Sequence, residues 1–228
     1  MVLRCLTIGL ASAALAGCGA QHSAMRPSPM RPHATVDTST PQPEWMRIAT
    51  PAGLRSLDTL DARFARAINS LPRGAAVIAR SEGVLLDPGA AQLAPQLSPG
   101  PYHCRLIRLG GRRGVQSFAP DVCYILADKD GPAFAKTTGE NRPEGYLYPD
   151  GDKRMVLLGT YRRQGETKQY RYGEDASRDL VGLVERVSAF RWRLILDRAT
   201  GGGASLDIYE MVPIPPEVKG AKPMVPNN

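Results

Sequence analysis

Residues 190–197 read Phe-Arg-Trp-Arg-Leu-Ile-Leu-Asp. Phe190, Trp192, Leu194 and Leu196 alternate with Arg191, Arg193, Ile195 and Asp197. Successive side chains of an extended chain point to opposite faces, so this spacing predicts a strand over Arg191–Leu196, mostly apolar on one side and mostly polar on the other. Further strands are expected at Val181–Val187 before it and, across Gly201-Gly202-Gly203, at Ser205–Val212 after it. Upstream, Tyr102–Leu109, Val122–Ala127, Ala133–Thr137, Gly145–Tyr148 and Met155–Arg162 read the same way, with a turn at Gly110–Gly114 and a hairpin signal at Asp150-Gly151.

That makes about eight strands within roughly 110 residues, joined by connections too short for parallel crossovers, so the pairing should be antiparallel. The expected fold is mainly β with an N-terminal helix, and its strands form a small closed barrel, which removes exposed edges. A sandwich, or an open sheet covered by the helix, is the alternative. An outer-membrane pore is not expected, because several of the strands are too short.

Working outward, Thr50-Pro51 has the form of an N-cap followed by proline at the first helical position. Leu54, Leu57, Leu60, Phe64, Ala67, Ile68 and Leu71 then recur at helical spacing, predicting an amphipathic helix over 52–71. Arg55, Asp58, Arg63 and Arg66 occupy much of its other face. A polar face of mixed sign suits a helix packed on the domain better than one lying on lipid. Residues 74–82 suggest a short second helix ending at Gly83, and Pro88–Pro101 a loop.

The first residues carry an address. Arg4 is followed by an uncharged apolar run from Cys5 to about Ala16, too short to span a bilayer and suited to the core of a signal peptide. Leu15-Ala16-Gly17-Cys18 is similar to the lipobox of bacterial lipoproteins: a branched aliphatic, two small residues and the cysteine that receives the lipid. The resemblance implies cleavage after residue 17, a palmitate-type acyl anchor on Cys18, and membrane attachment in the cell envelope. Gly19, where aspartate would favour retention at the inner membrane, favours the outer membrane facing the periplasm.

Residues 18–45 are rich in Pro, Ser, Thr and Gln and poor in large apolar groups, and read as a flexible tether. The expected organisation is signal peptide 1–17, tether 18–45, a single β-rich domain with N-terminal helices over 46–213, and a disordered tail 214–228.

The chain has 228 residues and a formal net charge of +7. The basic groups are dispersed, the densest spot being Arg112-Arg113, and no nucleic-acid motif is present, so nucleic acid is not an expected partner. The positive balance could favour anionic lipid headgroups or other acidic polymers.

With Cys5 in the signal and Cys18 acylated, Cys104 and Cys123 remain, and in an oxidising compartment they suggest one disulfide. The rival reading is a catalytic or metal-binding pair, whose usual C-x-x-C spacing is absent. His103 is the only histidine between 46 and 213, and on a strand it should point away from Cys104. No zinc, P-loop or nucleophile-elbow motif appears, and neither a metal nor a cofactor is expected. Glu174, Asp175 and Asp179 around Arg178 read as a solvated acidic loop.

One polar constellation stands out. Glu185-Arg186 end one strand, Asp207 and Glu210 lie on the last, Arg193 lies on the strand between, and Arg142 falls in a loop over 138–142. If consecutive strands pair, these charges could meet at one end of the barrel. There they would either bind a small anion or brace the sheet.

A family resemblance covers most of the domain. It rests on Leu85-Leu-Asp-Pro88, Gly100-Pro-Tyr-His-Cys-Arg105 and Phe134-Ala-Lys-Thr-Thr-Gly139, then Arg142-Pro143, Gly145, Leu158-Gly-Thr160, Tyr172-Gly173, Asp179, Gly182-Leu-Val-Glu-Arg186, Arg191-Trp-Arg-Leu194 and Leu206-Asp207. From about Trp45 to Pro213 the chain resembles a bacterial family described as domain of unknown function 4893. The resemblance implies an exported or lipid-anchored envelope protein and supports pairing Cys104 with Cys123. It brings no activity and no catalytic residues.

The expected function is a non-catalytic binding module, tethered through Cys18, for a small ligand or an envelope protein partner. A structural or assembly accessory is the alternative, and an enzyme a distant third.

Overall fold

The computed structural model describes residues 41–139, 141–197 and 205–215. The signal peptide 1–17, Cys18, most of the tether, the triple glycine and residues 216–228 of the tail lie outside the described residues.

Three helices lead into nine strands. Helix α1 is Glu44–Ile48, α2 is Pro51–Asn69 and α3 is Arg73–Ser81, followed by a 3-10 turn at Gly83–Leu85. The strands are β1 Gly100–Leu109, β2 Val115–Ser117, β3 Asp121–Asp128, β4 Gly131–Lys136, β5 Asn141–Asp150, β6 Arg154–Arg163, β7 Asp179–Ser188, β8 Arg191–Asp197 and β9 Leu206–Pro213. All pairs are antiparallel in the order β1-β3-β4-β5-β6-β7-β8-β9. Strand β9 returns to β1 from Tyr102↔Pro213 to Leu109↔Leu206, closing an eight-stranded barrel.

The ninth strand, β2, departs from the sequence reading. β3 pairs with β1 only through Gly100–Cys104, which leaves the edge at Ile107–Leu109 open, and Val115–Ser117 folds back to cover it. A three-residue strand is too short to register as an alternation. Arg142 also moves: it lies on β5, opposite Arg162, because β5 begins at Asn141 and not at Gly145. Pro143 and Gly145 weaken the strand pattern there. Phe190, expected on the apolar face of its strand, sits in the β7–β8 turn at 73% exposure.

Two apolar layers hold the molecule together. Tyr102, Ile125, Phe134, Leu147, Met155, Leu157, Leu180, Trp192, Leu194, Tyr209 and Met211, with the Cys104–Cys123 disulfide, form the lumen core. An eight-stranded barrel is just wide enough to be filled by side chains, and this one is filled with large ones. The second layer lies outside the wall. Leu57, Leu60 and Phe64 of α2 and Ala75 and Ala79 of α3 pack against Val156, Leu158, Val181, Leu183, Ile195 and Ile208. Alternate residues of β6–β9 are therefore buried on both faces, which is why these strands read as almost continuous apolar runs.

Local chemistry fixes the helices. The Thr50 hydroxyl accepts from Gly53 N at 3.1 Å and caps α2, whose first residue is Pro51. The Tyr172 hydroxyl accepts from Thr50 N at 3.2 Å and lies 3.1 Å from Thr50 Oγ1. A Cβ at residue 53 would stand 2.1 Å from that hydroxyl, so glycine is required there. On the barrel itself, Gly145 faces Gly159 across β5–β6, and a Cβ at residue 145 would come within 2.5 Å of the Gly159 Cα. The absence of side chains lets the two strands approach where the sheet curves to close.

Candidate functional site

Of the six charged residues expected to converge, the structure joins only Glu185 and Arg193. They face each other across β7–β8, with Arg193 Nε and Nη2 both 2.7 Å from a Glu185 carboxylate oxygen. Arg193 Nη1 donates to the carbonyls of Leu85 at 3.2 Å and Asp87 at 2.6 Å, and the guanidinium lies 4.8 Å from the Phe64 ring centroid. The pair sits on the outer wall, buried beneath α2 and the Leu85–Pro88 segment, and ties that segment to the barrel.

The other four go elsewhere. Glu210 is opposite Arg193 in register but bonds Arg105 at 2.6 Å and Arg191 at 2.5 Å, and Arg105 in turn grips Glu82 at 2.6 Å. Asp207 points to the opposite face of β9 and is held by Arg108 at 2.7 and 3.2 Å. Arg186 donates to the Leu93 carbonyl, and Arg142 to the Arg163 carbonyl at 2.8 Å. The expectation of one cluster at the barrel end is thus corrected. Period two sends Asp207 and Glu210 to different faces, and each charge is claimed by a separate neighbour.

Cys104 and Cys123 are bonded to each other inside the lumen, with Cα atoms 5.8 Å apart, while His103 is exposed on the other face of β1. Among the described residues, no group of three or more His, Cys, Asp or Glu is arranged to hold a metal ion, and no helix is long and apolar enough to cross a membrane.

The arrangement best suited to hold a ligand is a groove of about 740 Å³ on the outside of the wall, over β4, β5 and β6. Cross-strand register builds its floor. One row runs Leu126↔Ala133↔Tyr146↔Leu158 and the next Tyr124↔Ala135↔Glu144↔Thr160. Small residues on β4 leave space between larger neighbours. The segment 169–174 forms the facing wall, bringing Tyr170 and Tyr172 opposite Tyr146 and Tyr148. Burial, then the nearby Asp128 and Asp130 carboxylates, raise the Tyr146 hydroxyl above its ordinary pKa, and burial raises that of Tyr148. Both stay neutral donors at physiological pH.

That wall is anchored, while of the acids read as a solvated loop Glu174 is exposed and Asp175 and Asp179 are partly covered. Arg178 is buried and is gripped by both oxygens of Glu166 at 2.6 Å and by Asp175 at 3.1 Å. Its guanidinium lies 4.3 Å from the Tyr170 ring centroid, and Thr160 Oγ1 donates to the Tyr170 carbonyl at 3.1 Å. The Arg178 hydrogen bonds, with one from Arg163 N, hold the Glu166 carboxyl down at about 2. Asp179 accepts from Gly173 N at 2.9 Å; burial nevertheless raises its carboxyl above the ordinary value. Sequence reasoning named Ala135, Gly145, Leu158, Gly159, Thr160 and Tyr172 only as carriers of the family resemblance and did not join them into a site. The available signal was the pair of Tyr-x-Tyr doublets, 146/148 and 170/172, each placing two rings on one side of an extended chain.

A second groove, of about 470 Å³, lies between α1, α2 and the β5–β6 hairpin, but its main polar groups are already satisfied by one another. Trp45 Nε1 donates to Asp150, and Arg154 bridges Asp150 and Asp61, each at 2.6 Å.

Comparison with known proteins matches residues 45–211 to the family described as domain of unknown function (DUF4893), and the chain belongs to that family. No curated protein and no solved structure matches it.

Proposed function

We propose that this member of the DUF4893 family is a lipid-anchored protein of the bacterial cell envelope, whose barrel is a non-catalytic binding module with the outer-wall groove as its ligand site. The observation that carries this reading is the groove over β4–β6. Its volume of about 740 Å³ is of the size that ligand sites have, α2 and α3 do not cover it, and the Arg178 clasp fixes its wall in advance. A ligand held inside the barrel is ruled out, because the lumen is filled by Trp192, Tyr209, Phe134, Met211 and their neighbours; a packed lumen is what a structural or assembly accessory would have, so the ligand reading rests on the outer groove alone. The lining has aromatic faces with Glu144, Gln169, Arg171 and Glu174 among them, which suits a small amphipathic molecule with a flat apolar part. Membrane attachment rests on Leu15-Ala16-Gly17-Cys18.

A second reading, a structural or assembly accessory that binds another envelope protein, draws support from Tyr124 and Leu126. They stand 37% and 48% exposed on the outer face of β3 beside the groove.

Two variants test the parts separately. Ala133→Trp fills the groove from its floor. Thermal unfolding in the presence of a small-molecule extract of the envelope should show wild type stabilised by the extract and the variant not. Equal stabilisation of both would overturn the groove as the ligand site. With a cleavable secretory leader in place of residues 1–17, the Cys18→Ser chain should be found in the soluble periplasm while the wild-type chain with its own leader stays in the membrane fraction, and membrane retention of both would overturn the anchor.

A further inference from the structure

We propose that the outer face of α3, together with the β1–β2 loop, is a docking surface for anionic phospholipid. On α3, Arg73, Val77 and Arg80 are spaced to share one stripe, and Val84 is exposed in the 3-10 turn that follows the helix. Ala75 and Ala79 are turned inward against the barrel. The outward stripe is aliphatic where solvent-facing helices are polar: Val77 is 58% exposed, Ile78 46% and Val84 42%.

The β1–β2 loop lies against the base of this helix. A Cβ on Gly114 would stand 2.8 Å from the Ala75 Cβ and 3.3 Å from Leu71 Cδ2. Arg73 and Arg80 lie beside Val77 around the helix circumference, and Arg112 and Arg113 are exposed on the loop that packs against Ala75.

This ridge of exposed aliphatic side chains on α3 thus stands among arginines of the helix and of the adjoining loop. All four are exposed, and among the described residues none is ion-paired. Glu82, the carboxylate nearest in sequence to the ridge, is taken by Arg105 at 2.6 Å. The solvent face of α2 differs, with Asp58 and Asp61 set among Arg55 and Arg66.

The charge pattern identifies the occupant. Aliphatic tips enter the boundary between headgroups and acyl chains, and guanidinium groups meet lipid phosphates. Each arginine held near an anionic surface strengthens binding about five-fold. The ridge lies outside β1 and β2, whereas the ligand groove lies over β4–β6, so the two sites are separate. This docking surface depends on neither the ligand reading nor acylation.

The test uses the mature chain, residues 18–228 carrying Cys18→Ser, so that neither the apolar leader nor an acyl group contributes, with vesicles of phosphatidylcholine alone or containing about 30% phosphatidylglycerol. Co-sedimentation should occur with the anionic vesicles only and should weaken at least about tenfold between ~0.05 and ~0.5 M salt. Arg73→Glu/Arg80→Glu and, separately, Val77→Asp/Ile78→Asp should each weaken it at least about tenfold without lowering the thermal midpoint, because all four side chains are exposed. Arg55→Glu/Lys153→Glu, with the same change of net charge elsewhere on the surface, should bind as before. Equal binding to neutral vesicles, no binding to anionic ones, a uniform loss in both charge-reversed variants, or an unaffected ridge variant would overturn the proposal. Failure here would leave the Cys18 fractionation and the groove experiment untouched.

Discussion

The Glu185 carboxylate accepts a hydrogen bond from Arg193 Nε at 2.7 Å and lies 2.7 Å from Nη2, in a space where the two side chains are 8% and 1% exposed. Breaking a buried pair by removing one partner leaves an uncompensated charge and costs about 3–5 kcal/mol. Arg193→Met should therefore destabilise the fold by that order in chemical denaturation, and Glu185→Gln should do nearly as much. Glu185→Leu/Arg193→Met should recover only part of the loss, because the Leu85 and Asp87 carbonyls also lose their donor. Full recovery would show that the clasp on the Leu85–Pro88 segment contributes nothing.

The Arg178 clasp predicts an acid-sensitive groove wall. The Glu166 carboxyl is lowered from an ordinary 4.5 to about 2, first by its hydrogen bonds to Arg178 and then by that from Arg163 N. A depressed carboxylate contributes stability that is fully present above its unfolded value and is lost as pH falls through the folded one. Amide exchange over residues 164–177, corrected for the intrinsic rate, should thus accelerate between about pH 4.5 and pH 2, before the barrel unfolds. Glu166→Gln should show the fast exchange already at neutral pH, and Arg178→Ala should do so and also weaken ligand binding. Slow exchange in both variants would contradict the clasp.

The Cys104–Cys123 bond closes a loop with a sequence separation of 19 residues inside the lumen. Loops of this length contribute on the order of 3 kcal/mol through the unfolded chain. Cys104→Ala/Cys123→Ala should lower the thermal midpoint by about 6–12 °C while leaving a folded barrel. Both sulfurs are buried, so the bond should resist reductant under native conditions and yield only in denaturant. Rapid native reduction would contradict its placement.

Much of the architecture was legible because one physical signal dominates it. Period-two alternation from Phe190 to Asp197, and its echoes along the chain, gave the strands; the short connections gave antiparallel pairing, and the removal of exposed edges favoured closure over a sandwich or an open sheet. Thr50-Pro51 and the spacing from Leu54 to Leu71 gave the main helix. What alternation could not tell was what covers the outer face. Arg193 was expected on a polar side, but helix α2 packs there, so the charge became a buried clasp. β2 was invisible because only the open edge of β1 at Ile107–Leu109 makes it a strand. The groove was hidden for a similar reason. It depends on register, which brings Ala133 beside Tyr146, and on Arg178 folding a segment without regular structure back over the wall. Neither relationship is local in sequence. The residues that carry the family resemblance nevertheless mark these places: Leu85–Pro88 with Glu185 and Arg193, Gly145 with Gly159, and Tyr172 with the cap of α2.

The most direct test of the binding-module account is a native mass spectrum of the protein purified, without denaturation, from the envelope of the cells that make it. The account predicts a discrete low-mass non-covalent adduct on the wild-type protein, shed on mild activation and absent from the Ala133→Trp variant prepared in the same way. A bare wild-type protein, or the same adduct carried equally by both, would contradict it.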